Sequence, residues 1–297
     1  NCYNQFMSKN FFLITILPFA ILFADRGLIP FNPGVTIFEP NQRAIIAWNG
    51  EEEILLLSTD LSASDSTMAL EILPLPSEPK VKKGDHETFR KAINLINRRI
   101  YLKKRNGNGD RATEGKIPPP AEITFHEKIG AHDISVVHLI ERKGFVDWVK
   151  NYVQNLGYEK EVISEIHQEL VEDYIKRNFV WFVFDVVTLN KETRTLEPIQ
   201  YRFPTSRLFY PMKITSFGAG YTTIEIIVLT PKLLSRFSGI SLKQIRLAHD
   251  PITIYQDDLK IIDEDMYELL KDNTIMKLRI WKIEGDINSF DKDLIAH

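Results

Sequence analysis

The sequence predicts an α+β fold, with mixed, mostly antiparallel sheets and packed amphipathic helices, on three observations. Apolar runs of strand length recur between Pro, Gly and Asn turn signals. Three segments place their apolar residues at helical spacing. Strands and helices are interspersed without regular β-α-β alternation, and no period of 20–50 residues repeats, which disfavours solenoids and propellers.

Residues 11–23 form an uncharged apolar run, preceded by Lys9 and followed by Leu22-Phe23-Ala24 before Asp25-Arg26. A basic flank, a short apolar core and a small residue at the cut site describe a secretory signal peptide. The run is shorter than the ~20 residues that span a bilayer. Met7 is the expected start, so residues 1–24 are upstream residues and signal, with cleavage after Ala24. The mature chain is then secreted or extracytoplasmic, with no membrane span. The one cysteine, Cys2, precedes that start, so thiol catalysis and cysteine zinc sites are not expected.

Residues 25–40, rich in Pro, Gly and Asn, read as an extended segment. Strands are expected at 42–48, 53–58 and 67–73, with Asn49-Gly50 turning the first pair. Pro74, Pro76 and Pro79 mark an exit from the sheet. Gly84-Asp85 caps a helix running to Arg105, whose Phe89, Ala92, Ile93, Ile96 and Ile100 share a face. Residues 106–120 carry Gly, Pro and mixed charge and are expected to be a flexible loop and a sub-boundary. Strands at 121–125 and 133–140 precede two helices. Phe145, Trp148, Val149, Tyr152 and Leu156 stripe one helix, which Gly157 stops, and Val162, Ile163, Ile166, Leu170 and Tyr174 stripe the other. The run from 178 to 187, with Val-Trp-Phe-Val-Phe inside it, suits a strand buried on both faces. Later strands are expected at 199–203, 212–216, 223–230, 251–255 and 276–283, with a helix near 264–271. The domain reading is one α+β unit over 25–255 and a C-terminal helix-strand extension over 256–297.

Several phrases, in order, resemble a known family. They are Ala24-Asp25-Arg26-Gly27, Phe38-Glu39-Pro40-Asn41-Gln42-Arg43, Ile72-Leu73-Pro74-Leu75-Pro76, Ile129-Gly130-Ala131-His132-Asp133, Trp148 with Gly157-Tyr158, and Tyr201-Arg202-Phe203-Pro204 leading to Tyr210-Pro211. Together they resemble the uncharacterised exported-protein family called domain of unknown function 2330, over roughly residues 25–230. The resemblance implies an exported prokaryotic protein and transfers no catalytic residue.

Among polar groups, His126, His132 and His138 have even separations that place them on one face if a single strand carries all three. Imidazoles bind zinc or copper, and Glu127 or Asp133 supplies an oxygen ligand in that reading. Gly130 interrupts the strand, and locally hydrogen-bonded histidines are the simpler reading. Gly285 to Asp291 resembles half a calcium loop, but Ile280 and Lys282 stand where ligands belong, so a polar tail is expected. Trp48, Pro76, Tyr201, Phe209 and Tyr210 lie beside Pro or turn signals and are a candidate interaction surface, with core or rim packing as the favoured reading. No Gly-x-Ser-x-Gly elbow or phosphate loop occurs.

The chain carries 37 Lys plus Arg against 40 Asp plus Glu, which gives no electrostatic reason for a nucleic-acid partner. No cofactor is expected. The favoured reading is a non-catalytic binding protein of the cell envelope, whose partner is another envelope protein. The rivals are an extracytoplasmic hydrolase with a site assembled from distant residues, and metal capture by the histidines.

Overall fold

Long runs of Ile, Leu and Val ending at tight turns make strands the main component of this α+β protein. The computed structural model describes residues 28–32, 34–105, 132–139, 144–155, 165–217, 221–234, 237–238, 240–241 and 243–297. The signal segment, Cys2, His126, the 106–120 loop and the 121–125 strand lie outside the described residues.

A short β1 (Ile29–Pro30) is followed by the long hairpin β2 (Ile37–Trp48) and β3 (Glu52–Ala63). Asn49 closes this hairpin: its Oδ1 accepts from the N–H groups of Glu51 (2.9 Å) and Glu52 (2.8 Å). Gly50 supplies the left-handed φ of 108° that a side chain would strain. Next come β4 (Thr67–Leu75), β5 (Lys80–Lys83), α1 (His86–Arg105), β6 (His132–His138), α2 (Phe145–Asn155) and α3 (Glu165–Lys176). The doubly buried run forms β7 (Trp181–Leu189). Then follow β8 (Arg194–Thr195), β9 (Ile199–Pro204), β10 (Leu208–Tyr210), β11 (Tyr221–Thr230), β12 (Phe237–Ser238), β13 (Ile245–Leu247) and β14 (Ile252–Tyr255). The chain ends with α4 (Gln256–Ile262), α5 (Glu264–Leu270), β15 (Ile275–Asp286) and β16 (Leu294–Ala296).

A nine-stranded sheet runs in the order β13-β15-β11-β2-β3-β9-β5, with β14 on β15 and β8 on β3. Within it only β11 and β2 pair in parallel. A four-stranded sheet, β1-β4-β7-β6, and a three-stranded sheet, β10-β16-β12, are antiparallel throughout. Strand alternation divides the apolar residues into layers. One face of the large sheet, with Ile45, Ile54, Leu56 and Ile227, is covered by α1, α4 and α5 through Phe89, Ile96, Leu259 and Met266. Its other face, with Ala44, Ile46, Leu55 and Tyr201, packs on Leu73, Leu75 and Val183 of the four-stranded sheet. The far face of that smaller sheet, with Ile72, Phe182 and Phe184, lies under α2 and α3.

Three expectations need correction. β4 continues through Pro74, opposite Phe182 of β7, because β1 pairs only with Ala69 and Leu70 and leaves no partner for a Pro N–H on that side. Residues 213–217 form a 3-10 turn instead of a strand: the Thr215 N–H and hydroxyl both donate to the Met212 carbonyl (3.1 and 2.6 Å). The expected polar tail is exposed at Asp286, Asn288, Ser289, Asp291 and Lys292, but Ile287, Phe290 and Asp293 within it are buried and lead into Leu294 and Ala296 of the core. Residues 256–297 supply β15, which pairs with β11 from Tyr221↔Asp286 to Thr230↔Lys277. No described helix is long and apolar enough to cross a membrane.

Candidate functional site

The two large sheets meet across apolar side chains, and one polar cluster interrupts them. Glu71 of β4 and Asp185 of β7 stand directly opposite each other, and His132 of β6 is opposite Val187, two positions along β7 from Asp185. All three point to the inner face. The His132 Nδ1–H donates to Asp185 Oδ2, since a carboxylate only accepts. Across from them, Thr59 of β3, Tyr201 of β9 and Glu197 from the segment before β9 complete a void of about 10 Å³ between the sheets. Three of its lining atoms, His132 Nε2, Asp185 Oδ1 and Thr59 Oγ1, are buried without a protein partner. Burial pulls the His132 pKa down, but the hydrogen bond and charge of Asp185, aided by Glu71 and Glu197, hold it above its ordinary value.

A hydroxyl, an imidazole and a carboxylate on one cavity are the group types of nucleophilic hydrolysis. The volume limits what they can do: about 10 Å³ is the space of one water. The cluster can hold a proton and a water molecule between the sheets. No substrate fits there.

The predicted metal set is not brought together in the described residues. His132 and His138 share a strand face but are six residues, roughly 20 Å, apart along β6. Asp133 points to the opposite face by alternation and is exposed, and His138 stacks on Trp181 at 4.1 Å. No group of three or more His, Cys, Asp or Glu among the described residues is arranged to hold a metal ion. Of the candidate interaction surface, Tyr201, Phe209 and Tyr210 take the favoured core packing and are 3%, 4% and 2% exposed. Here β10 lies over the core, where Tyr210 donates to Gln42 Oε1 (2.6 Å) and the Phe209 N–H to Glu53 Oε2 (2.8 Å). Trp48 and Pro76 are half-buried, and the Trp48 indole N–H donates to the Thr205 carbonyl (3.0 Å). Sequence reasoning passed over Glu71, Asp185, Glu197 and Thr59. Glu71 in Ala-Leu-Glu-Ile-Leu and Asp185 in Phe-Val-Phe-Asp-Val-Val do carry a signal: each is a carboxylate inside a run that otherwise reads as buried.

Two open grooves lie on the helical side of the large sheet. One, of about 500 Å³, runs between α1 and the segment leading into β14, with Ile100, Pro251 and Ile252 as apolar walls beside Arg99 and His249. Arg99 is fixed by two hydrogen bonds to the Asp258 carboxylate (3.0 and 2.7 Å), which also caps α4 by accepting from the Tyr255 N–H (3.0 Å). His249 Nδ1–H donates to the Asp250 carbonyl (2.6 Å), and its Nε2 is buried without a partner. The second groove, of about 420 Å³, has Arg43, His86, Phe89, Arg90 and Glu225 in its lining.

No curated protein matches the chain. The crystal structure of baculovirus P35 is similar at 10% identity and a TM-score of 0.40, covering 91% of this chain and 99% of that one, a likeness too distant to bear on fold or activity. Over residues 25–241 the chain matches the family described as an uncharacterized protein conserved in bacteria, DUF2330, and it belongs to that family.

Proposed function

We propose that the protein is an exported, envelope-associated binding protein without catalytic activity, and that another envelope protein docks in the groove between α1 and β14. The groove carries this reading. Its volume of about 500 Å³ lies in the usual range for binding sites, whereas the space beside His132 takes one water. Its walls Ile100, Pro251 and Ile252 suit an apolar polypeptide segment, with Arg99 and His249 as the few polar groups that fix orientation. Export rests on the signal-like run at 11–23.

The test is photo-crosslinking in cells from a reactive residue at Thr253, with Glu192 as control, since Glu192 is exposed and lies across the sheet beside β8. The expected result is a reproducible envelope-protein adduct from position 253 only, reduced about tenfold by Ile252→Arg, because a charge placed against an apolar contact costs roughly 1.4 kcal/mol or more. Identical adducts from both positions, or turnover of glycosides, esters or peptides by the purified mature chain, overturn the reading. The mature N-terminus by mass spectrometry is expected at Asp25, and a cytoplasmic chain beginning at Met7 overturns export.

A further inference from the structure

The void between the sheets shares no lining residue with the groove. Three carboxylates converge there on one imidazole: Asp185 from β7, Glu71 from β4 and Glu197 from the segment before β9, around His132 of β6. Thr59 and Tyr201 are the other polar side chains facing it, and no Lys or Arg is among the described residues that line it. The side chains of His132 and Asp185 are 6% and 3% exposed, so bulk water does not screen them.

We infer that this void binds one water molecule, and that protonated His132 together with this water latches the two sheets to each other. The hydrogen-bond inventory supports both parts. Nδ1–H is committed to Asp185 Oδ2, so in the protonated ring Nε2–H is a second donor with no protein acceptor. A water in the void accepts from Nε2–H, donates to Asp185 Oδ1 and exchanges a hydrogen bond with Thr59 Oγ1, which satisfies all three orphaned atoms. The latch crosses the interface because His132 and Asp185 belong to the small sheet, and Thr59 to the large one. When His132 loses its proton, Nε2 becomes an acceptor and no longer donates to the water. The Glu71, Asp185 and Glu197 carboxylates then lose the positive charge of His132, and the direct Glu71–Asp185 pair is less compensated.

The sign follows from His132 having a raised pKa in the folded protein. Its contribution is complete below about 6.5, the unfolded value, and is lost as pH rises through the raised folded value. The experiment compares melting temperatures of the full chain and His132→Gln between pH 6 and pH 9, with the imidazole followed by NMR. The wild type is expected to melt about 2–4 °C above the variant at pH 6, a shift typical of one lost contact in a domain of this size, with the gap closing by pH 9. A gap that stays constant overturns the latch. Glu197→Gln, at a half-buried position that tolerates an amide, is expected to lower the midpoint of the His132 titration, and it tests the same point if His132→Gln fails to fold. An unmoved midpoint overturns the cluster. A crystal structure is expected to show one water within hydrogen-bond distance of Nε2; a metal ion there, or a zinc-induced rise in melting temperature that His132→Gln abolishes, overturns the water.

Discussion

Asp293→Ala is expected to destabilise the protein by about 3–5 kcal/mol, the range for removing one partner from a buried charge network. The Asp293 side chain is 0% exposed. Its Oδ1 accepts from the Tyr174 hydroxyl (2.6 Å) and the Lys213 N–H (3.0 Å), and its Oδ2 from Arg177 Nη1 (2.7 Å). Arg177 in turn lies over the Tyr174 ring at 4.1 Å and pairs with Asp173 at 2.9 Å, and Lys213 Nζ reaches the same Asp173 oxygen at 2.8 Å. One carboxylate therefore joins the last strand, α3 and the 3-10 turn. Burial, then the Asp293 charge, keeps the Tyr174 hydroxyl protonated far above its usual range, so it remains a donor at any working pH. Alanine leaves that hydroxyl and the Lys213 N–H in the interior without an acceptor. Asn keeps one oxygen and is expected to lose less, about 1–3 kcal/mol, as is Tyr174→Phe. Urea unfolding of the three variants measures this. An alanine cost below 1 kcal/mol sinks the idea that the network anchors the C-terminus.

That network also shows what the sequence conceals. Periodicity located α1, α2 and α3, and the unbroken run around Phe182 and Phe184 identified a strand buried on both faces, because each of these signals is local. The acidic, polar residues 285–293 look solvated for the same local reason. Within them Ile287, Phe290 and Asp293 are nonetheless buried, and Asp293 is held there by Tyr174, Arg177 and Lys213, between 80 and 119 positions away. The short α4 is not legible in the sequence because a single extended residue separates it from α5: Asp263 ends one helix and caps the next, accepting from the N–H groups of Asp265 (3.0 Å) and Met266 (3.1 Å). In the same way, Tyr201, Phe209 and Tyr210 stand next to turns in sequence and inside the core in space. A turn signal fixes the backbone, and the partner strand decides which face is covered. Of the inter-sheet cluster, only His132 was visible beforehand. Its role comes from Asp185, Glu71 and Thr59, whose approach is set by strand order.

Glu53 gives the second large effect, and here the two natural substitutions are expected to act in opposite directions. The side chain is 0% exposed on β3, where its Oε2 accepts from the Phe209 N–H (2.8 Å) and its Oε1 is buried without a partner. Burial raises its pKa well above the ordinary carboxylate value, more than the Phe209 hydrogen bond lowers it. With the folded pKa raised, stability from this group is complete below about pH 4.3 and drains away as pH rises through the folded value. Glu53→Gln keeps an acceptor for Phe209 and removes the titration. It is expected to match the wild type near pH 4 and to melt higher at pH 8, by about 2–4 °C for each kcal/mol recovered. Glu53→Ala leaves the Phe209 N–H unpaired and opens a cavity, so it is expected to lose about 2–4 kcal/mol at either pH. A Gln variant that melts below the wild type at pH 8 would show that the carboxyl group supplies something an amide cannot, such as a proton donated from Oε1. Three glutamates in a row, Glu51 to Glu53, look alike in sequence, but Glu51 stays in the exposed turn and alternation along β3 turns Glu53 inward and Glu52 away, so that Glu53 fixes β10 and the aromatic pair Phe209 and Tyr210 against the hairpin.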